Sequence, residues 1–577
     1  MNVFNELWAQ IVSRGSKIIT DQSVWSQASL EIPKDPLNGD VSTNIAMIAA
    51  AKTGANPREL SLKLKEELLT IPYVAHVEVA GPGFINFTIK SEKWHDCIKS
   101  ILNDDEEFWK VDIGNGEKIN IEYVSANPTG PMHIGHARGA VYGDTLANIL
   151  SSCGYKVTKE YYINDAGSQV DTLLESAYLR YKEAIDGLSI EIPAGLYPGE
   201  YLKPIGQKLV DQFKDTLLSM DTKQIKPLIK KIVLEEILKL IKADLADLGV
   251  VHEVFFSEES LHEGGKIKHA IKVLTDKKLI YKGALPPPKG KIDENWQEKE
   301  QLLFKSTDFG DDQDRPIQKS DGTWSYLAAD FAYALDKINR QYDTLIYVLG
   351  ADHSGYVKRI KGVINALSDG NVKGDVRICQ LVNFVKNGQQ LKMSKRSGNF
   401  MTVRDVVNEV GKDIVRFIML TRKNDISLDF DFDKVREQSK DNPVFYVQYA
   451  YVRTRSIISN AFETVPEAYN KFTNKEFDLS LLNTEEEIQL IKMLASWPKQ
   501  LASAAKAFEP HRIAYYLLDV ASSLHSLWNL GKEDNQYRFN IEDNIELTAS
   551  RLALAESIRK VIAQGFSLIG VTAMDKM

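Results

Sequence analysis

Cysteine is scarce in this chain. The three cysteines, Cys97, Cys153 and Cys379, are widely spaced and include no Cys-x-x-Cys pair. This spacing argues against a disulfide scaffold and against a cysteine-rich zinc site. We therefore expect reduced thiols and no protein-held metal.

Long hydrophobic runs are also missing. No window of about 18 apolar residues is present, which argues against a membrane-spanning helix. Met1–Arg14 is polar and mixed rather than a basic start followed by an apolar run, which argues against a leader peptide. These features predict a cytoplasmic protein without a membrane partner. No internal repeat and no low-complexity tail is present.

An excess of positive charge, the usual mark of a nucleic-acid-binding protein, is absent. The chain has 71 Lys and Arg against 79 Asp and Glu, a net charge of −8. Lysines are nevertheless dense in 225–242 and 266–305, which fits either solvated helix faces or a basic surface. Charge alone neither predicts nor excludes a nucleic-acid partner.

The 577 residues exceed one ordinary core, and changes of pattern divide them into three predicted domains. Residues 1–112 combine a helical rhythm with strand-like runs around a Gly-Pro-Gly turn, which indicates an α+β domain. Residues 113–437 alternate strands and helices, which is typical of an α/β parallel sheet. Residues 438–577 are almost wholly helical in rhythm, which indicates an all-α domain.

Particular elements are predicted within these domains. A helix over His136–Ser152 follows the first central strand, and Thr484-Glu485-Glu486-Glu487 fits a capping box that starts another. The predicted strands of the central sheet are Ile119–Val124, Lys156–Tyr162, Thr344–Leu349 and Val376–Phe384.

The first chemical motif is Pro131-Met132-His133-Ile134-Gly135-His136, where a strand gives way to a helix. Backbone N–H groups and the helix dipole favour phosphate at such a junction. Gly135 would let a flat base approach the backbone, and two imidazoles can donate hydrogen bonds to a triphosphate. The alternative is a pair of surface histidines at a helix start.

The second motif is the basic segment Lys392-Met393-Ser394-Lys395-Arg396-Ser397-Gly398-Asn399. Its charges suit a polyphosphate and a departing pyrophosphate, although by itself it could be a solvated turn. The long separation from the first motif fits two halves of a nucleotide-binding sheet, with the ligand lying across the switch between them.

Two carboxylates form a third feature. Glu122 lies on the strand before the first motif, and Asp330 ends the run Trp324-Ser325-Tyr326-Leu327-Ala328-Ala329-Asp330. A buried acid needs a cationic partner or a shifted pKa. A substrate guanidinium would be one such partner, and a structural salt bridge to a local Lys or Arg is the other.

These motifs together resemble the arginyl-tRNA synthetases, which are class I aminoacyl-tRNA synthetases with a Rossmann-like catalytic domain. The resemblance extends over essentially the whole length, from Gly39-Asp40-Val41 to Gly570-Val571-Thr572-Ala573, and is greatest to the bacterial form. The segments that carry it are Glu122–His136, Tyr161–Gly167, Trp324–Asp330, Gly350–His353 and Lys392–Asn399.

The resemblance implies an ATP-dependent reaction of L-arginine that gives arginyl-adenylate and then arginyl-tRNA, with release of AMP and pyrophosphate. By matching motif positions, it implies that His133, Gly135, His136 and Met393 bind ATP, and that Lys392 and Lys395 contact its phosphates. His133, His136, Lys392 and Lys395 are thus the predicted catalytic residues. The predicted arginine-binding residues are Glu122, Asn127, Tyr326, Asp330 and His353. Tyr161–Gly167 receives no role.

The resemblance also implies two tRNA-binding regions. Phe84 and Asn86 are candidates for reading the tRNA elbow, although Phe84 and Phe87 could equally be strand core. The helical domain resembles an anticodon-binding bundle, in which stacking on aromatic rings and arginine suits unstacked bases. Its candidates, which could instead be core residues, are Tyr449, Arg453, Trp528 and Met577.

Further expectations follow from the resemblance. Mg²⁺ should accompany ATP as a substrate complex, without a tightly bound cofactor or a dedicated metal cage. No editing domain is expected, because the charged arginine site should itself reject analogues that cannot satisfy its hydrogen bonds. Arginine activation should require bound tRNA. The protein should be a monomer whose partners are tRNA(Arg), L-arginine and ATP.

Three alternative functions explain the sequence less completely. A class I synthetase for another amino acid is the nearest alternative, and an apolar or anionic substrate would not suit the paired carboxylates Glu122 and Asp330. A catalytically silent tRNA-binding relative would have no reason to keep both phosphate-handling motifs. A metabolite nucleotidyltransferase would explain neither the helical domain nor the length.

Overall fold

The N-terminal part of the protein is a small α+β layer. The computed structural model describes residues 3–33, 35–285, 300–319, 322–391, 401–439 and 441–576. An antiparallel sheet of order β1-β2-β4-β3 packs against helices. The elements are α1 (Val3–Gly15), α2 (Gln22–Trp25), β1 (Leu30–Glu31), β2 (Val41–Thr43), α3 (Ile45–Thr53), α4 (Pro57–Leu68), β3 (Val74–Ala80), β4 (Phe84–Ile89), α5 (Ser91–Leu102) and α6 (Glu106–Trp109).

The central part contains the predicted parallel sheet with helices around it. Two three-stranded sheets, β10-β9-β8 and β14-β13-β15, accompany the main one. The elements are β5 (Lys118–Glu122), α7 (Ala137–Ser152), β6 (Lys156–Ile163), α8 (Ser168–Asp186), α9 (Lys203–Phe213), α10 (Thr222–Asp247), β7 (Val254–Ser257), α11 (Glu259–Glu263), α12 (Lys266–Asp276), β8 (Ile280–Gly283), β9 (Gln301–Phe304), β10 (Arg315–Pro316), α13 (Tyr326–Asn339), β11 (Thr344–Gly350), α14 (Val357–Ser368), β12 (Lys373–Cys379), β13 (Val382–Lys386), β14 (Gln389–Gln390), α15 (Val403–Val410), α16 (Lys412–Met419) and β15 (Leu428–Asp431).

The main sheet has five parallel strands in the order β12-β11-β5-β6-β7. The order runs outward from β5 in one direction to β7 and in the other through β11 to β12. The chain therefore reverses its direction of winding between β5 and β11. Crevices at the carboxyl ends of two such strands are the usual ligand sites of doubly wound folds.

Two predicted strands have different limits in the structure. Val376–Phe384 is not one strand of the main sheet, because β12 ends at Cys379 and β13 belongs to a second sheet. At the break, Gln380 N–H donates to Asn424 O, and Arg138 donates to Gln380 O at 3.0 Å. The strand predicted to reach Val124 ends at Glu122, because Val124 has φ +71° and turns the backbone.

The C-terminal part is a bundle of helices, as predicted. The Thr484 capping box is confirmed, since Thr484 and Glu487 each accept the other's backbone N–H at the start of α19. Its helices are α17 (Pro443–Thr464), α18 (Pro466–Thr473), α19 (Glu485–Ala495), α20 (Trp497–Ala507), α21 (His511–Glu533) and α22 (Ile545–Ile569). The domain limits 1–112, 113–437 and 438–577 remain predictions.

Candidate active site and tRNA-binding residues

A cavity of about 590 Å³ opens at the carboxyl ends of β5 and β11, where the sheet order reverses. All five predicted arginine-binding residues line it, together with His136 of the first motif. Those five are Glu122, Asn127, Tyr326, Asp330 and His353. The fold thus brings together residues that are more than 200 positions apart in the sequence.

Asp330 is a part-buried carboxylate of this cavity to which the described residues offer no ion pair. It lies on α13, one helical turn after the exposed Tyr326, and is itself part-buried. Within the described ranges, no hydrogen bond or ion pair reaches its carboxylate. Burial, reinforced by the charges of Glu122 and Glu258 and opposed by the charge of Arg359, raises the pKa of Asp330 to about 7. The site therefore favours a ligand that supplies a positive charge.

Glu122 already has a positive partner inside the protein. Its Oε2 lies 2.7 Å from Nζ of Lys337, whose side chain is completely buried. The Lys337 ammonium also lies 4.2 Å and 4.0 Å from the ring centres of Tyr333 and Tyr347. Of the two interpretations of Glu122, the structural salt bridge is therefore present. The sequence signal for Lys337 was its position two helical turns after Asp330 on α13.

Glu160, next to Glu122 across β5 and β6, is also paired. Arg340 donates to both of its oxygens at 2.7 and 2.8 Å, and Tyr333 donates its hydroxyl at 2.7 Å. Burial opposes ionisation of Glu160, but the hydrogen bonds and charge of Arg340 lower its pKa overall. Glu122 and Glu160 thus each have an internal cation, in contrast to Asp330.

The turn after β5 shapes the side of the cavity. Val124 and Ser125 both have positive φ, which is costly for a β-branched residue and marks a constrained backbone. Ser125 donates its hydroxyl to Glu122 Oε1 at 3.1 Å and accepts from Tyr162 N–H. This turn directs the chain toward Asn127 at the cavity wall.

The segment Tyr161–Gly167, to which the sequence assigned no role, supports this wall. Tyr161 donates its hydroxyl to Ala126 O at 2.7 Å, beside Asn127. Asp165 accepts from Ser257 Oγ at 2.6 Å and from Glu259 N–H at 2.8 Å, which joins the ends of β6 and β7. Asn164 lines the cavity itself.

The first motif forms a tight turn before α7. His133 precedes a 3₁₀ turn over Ile134–His136, and its Nδ1 accepts from Gly135 N–H at 3.1 Å. The rings of His133 and His136 stack with centroids 3.8 Å apart. A Cβ at position 135 would lie 2.7 Å from the His133 ring, so the glycine makes room for this imidazole.

The second motif lies outside the described residues, and with it Lys392, Met393 and Lys395. The chain directly after it is hydrogen-bonded to the first motif. Ile134 N–H donates to Met401 O at 3.0 Å, and Val403 N–H donates to Met132 O at 2.9 Å. Tertiary structure therefore brings the chain that follows the second motif to the first.

Three of the predicted anticodon-binding residues lie together. The Arg453 guanidinium lies 4.4 Å from the Tyr449 ring centre and 5.0 Å from that of Trp528. Arg453 also contacts Nδ1 of His525 at 2.6 Å, and Tyr449 is 41% exposed. An exposed ring that packs on an arginine, itself fixed by contact with His525, offers a surface on which a base can stack. Met577 lies outside the described residues.

The two predicted elbow-binding residues have different surroundings. Phe84 is 39% exposed at the start of β4, whereas Phe87 is fully buried in the core. Asn86 is buried and accepts a hydrogen bond from Ser42 Oγ at 2.7 Å. The exposed ring of Phe84 is thus accessible to a partner, and the Asn86 side chain is engaged within the sheet.

The part of the chain that the structure describes contains no candidate membrane span and no candidate metal site. None of its helices is both long and apolar enough to cross a membrane. No group of three or more His, Cys, Asp or Glu side chains in these same residues is placed to hold a metal ion.

Three family models match most of the chain outside the stretch 193–294. An "Arginyl tRNA synthetase N terminal domain" matches residues 6–89, and a "DALR anticodon binding domain" matches 447–577. A model of "tRNA synthetases class I (R), catalytic domain" matches 97–192 and 295–459.

Curated relatives and solved structures agree with these matches. The chain is 59% identical to an arginine–tRNA ligase of Rickettsia felis and 58% identical to one of Rickettsia bellii, with full coverage of both chains in each case. A putative arginyl-tRNA synthetase from Campylobacter jejuni has a TM-score of 0.72 and 31% identity, over 85% of this chain and all of that one. Arginyl-tRNA synthetase of Thermus thermophilus has a TM-score of 0.74 over the full length of both chains, but at 19% identity it shows the fold alone.

Proposed function

Since this chain belongs to the arginyl-tRNA synthetases and catalyses the ATP-dependent ligation of L-arginine to tRNA, we propose that Asp330 selects the arginine. The observation that carries this proposal is the part-buried carboxylate of Asp330, which has no ion pair among the described residues, in a cavity where Glu122 already has the internal cation Lys337. A guanidinium offers that carboxylate two parallel N–H donors and a permanent charge.

The other residues of the cavity make the remaining contacts with the arginine substrate. Asn127 binds the α-amino or carboxylate end of arginine, while Tyr326 and His353 cover the substrate from α13 and the end of β11. Glu122, held by Lys337, accepts guanidinium hydrogen bonds with lone pairs that Lys337 and Ser125 leave unused.

The first motif and the basic second motif bind ATP. His133, Gly135, His136 and Met393 contact the nucleotide, and Lys392 and Lys395 contact its phosphates. The arginine carboxylate oxygen then attacks the α-phosphorus, the bond to the bridging oxygen breaks, and pyrophosphate leaves with the electron pair. The two histidines and two lysines stabilise the charge on the departing group, so no covalent nucleophile is required. Mg²⁺ enters with ATP.

Further residues bind the tRNA, which accepts the arginyl group in the second step. Tyr449, Arg453, Trp528 and Met577 bind the anticodon loop, and Phe84 with Asn86 contacts the tRNA elbow. In the second step a terminal ribose hydroxyl of the tRNA attacks the arginyl carbonyl carbon and AMP leaves. The protein acts in the cytoplasm as a monomer without a tightly bound cofactor.

Arginine-dependent ATP–pyrophosphate exchange, with and without total tRNA, tests the proposal against a panel of other amino acids. Of the amino acids in the panel, only arginine should support exchange, and it should do so only when tRNA is added. Full exchange in tRNA-free, nuclease-treated enzyme would show that arginine activation does not require tRNA. Exchange with a different amino acid would refute the assignment of the cavity to arginine.

The affinity for arginine should depend on pH near neutrality. Burial raises the pKa of Asp330 to about 7 in the free enzyme, and guanidinium binding requires the ionised carboxylate. The kcat/KM for arginine should therefore fall as the pH falls through about 7 and level off above it. Steady-state exchange kinetics between pH 6 and pH 9, at saturating ATP and tRNA, measure this. A flat profile would contradict it.

Tyr449→Ala should weaken tRNA binding by about 10-fold, because stacking of one base on an aromatic ring contributes roughly 1–3 kcal/mol. The KM for tRNA in arginylation is the measurement, and the KM for arginine should not change. Tyr515→Ala is a matched control, since Tyr449 and Tyr515 are both 41% exposed in the C-terminal helices and Tyr515 takes no part in the Arg453 cluster. Equal effects of the two substitutions would count against an anticodon site at Tyr449.

A further inference from the structure

A buried aspartate on α10 connects the first ATP motif to the chain that follows the second one. Asp244 is 3% exposed, and its Oδ2 accepts the backbone N–H of Met132 at 2.8 Å. Its Oδ1 lies 3.4 Å from the guanidinium of Arg404, at the start of α15. Met132 directly precedes His133, and Arg404 is two residues beyond the Thr402 that pairs with His133.

The contact with Met132 is what distinguishes Asp244 from its neighbour Asp247. Asp247, one helical turn later, is 40% exposed and lies 2.8 Å from Arg404 Nε. Arg404 therefore has a carboxylate partner without Asp244. Burying a second carboxylate beside the first is unfavourable, and burial together with the charge of Asp247 raises the pKa of Asp244. The contact that Asp244 adds is the hydrogen bond to the motif backbone.

A second side chain, Tyr201, contacts residues 129–130, which lie just before the first motif. Tyr201 donates its hydroxyl to Thr129 O at 2.6 Å. A Cβ at Gly130 would lie 2.6 Å from the Tyr201 ring, so the loop and this ring are closely packed. The catalytic-domain family model matches 97–192 and 295–459, so Tyr201 and Asp244 both come from the unmatched stretch 193–294.

We propose that Asp244 is a positioning residue for the ATP-dependent step, which fixes the backbone at Met132 and thereby the approach of His133 and His136 to the triphosphate. The proposal rests on the proposed assignment of the first motif to ATP. A positioning group acts through geometry, and a displacement of about 1 Å can reduce a rate about 100-fold. Tyr201 and Asp244, both from the part of the chain that the catalytic-domain model does not match, thus support the first motif.

Exchange kinetics of Asp244→Ala, Asp244→Asn and Asp247→Asn in the full chain with tRNA test this proposal. We expect Asp244→Ala to lower kcat/KM for ATP about 10- to 100-fold, with the KM for arginine within about 2-fold of the parent. Asp244→Asn keeps an oxygen that can accept from Met132 N–H, so it should recover most of the loss. Asp247→Asn removes a carboxylate that is also paired with Arg404 but does not touch the motif, and it should behave as the parent does.

Other results would overturn the proposal. Equal losses in Asp244→Asn and Asp247→Asn would show that only the charge pairing with Arg404 matters. An equal rise in the KM values for ATP and arginine would show a general structural defect. If Asp244→Ala does not fold, Asp244→Asn and Arg404→Gln carry the test. Arg404→Gln should raise the KM for ATP roughly 2- to 5-fold, and no change would contradict the link to Asp244.

A His136→Ala variant separates this proposal from the assignment on which it rests. If His136→Ala abolishes exchange while Asp244→Ala matches the parent, the ATP assignment stands and the positioning role fails. If both variants match the parent, the assignment of the first motif to ATP fails as well.

Discussion

Replacing Asp330 by Asn is expected to raise the KM for arginine about 100-fold, equivalent to about 3 kcal/mol of lost binding free energy. The substitution keeps the size of the side chain and one oxygen, but it removes the charge that the guanidinium meets. Because Glu122 and Glu160 are held by Lys337 and Arg340, neither is free to replace that charge fully. The KM for ATP should change little, since the first motif does not depend on Asp330.

Arginine-dependent exchange at varied arginine concentration measures this effect. Asp336→Asn is the matched control, because Asp336 lies on the same helix and is paired with Arg340 at 3.0 Å outside the cavity lining. The Asp330→Asn variant should also lose the dependence of kcat/KM on pH near 7. An unchanged KM for arginine would show that Asp330 does not select the substrate.

Replacing Lys337 by Met is expected to destabilise the protein by about 3–5 kcal/mol and to lower the thermal unfolding midpoint by roughly 5–10 °C. Lys337 is completely buried, and its removal leaves the Glu122 carboxylate without the cation that offsets its burial. The double variant Glu122→Gln/Lys337→Met has neither buried charge and should recover a large part of the loss, although it should bind arginine less well.

Thermal unfolding of the two single variants and the double variant forms a double-mutant cycle that isolates the pair. Lys272→Met serves as the control, since Lys272 forms an ion pair with Asp276 in which both side chains are more than 60% exposed. Such surface pairs contribute about 1 kcal/mol or less. If Lys337→Met and Lys272→Met shift the midpoint equally, the Glu122–Lys337 pair does not have the predicted role.

Much of the fold follows from local sequence patterns. The capping box at Thr484 and the helix α7 depend on neighbours within a few turns, so both were predicted. The break between β12 and β13 was missed, because Val376–Phe384 is rich in β-branched and other apolar residues and reads as one strand. The hydrogen bond from Gln380 N–H to Asn424 O, which separates the strands, joins segments distant in sequence.

The sequence by itself determined the family and therefore the reaction, because the chemistry needs particular residue types at fixed local spacing, as in His133-Ile134-Gly135-His136. It also named the residues that the cavity brings together. Only the tertiary structure decided how the charges are shared among them. Glu122 pairs with Lys337, whereas no described residue forms an ion pair with Asp330, because β5 and α13 are adjacent in space and distant in the chain. The contact of Asp244 with Met132 has the same origin, since no local pattern marks a hydrogen bond across 112 residues.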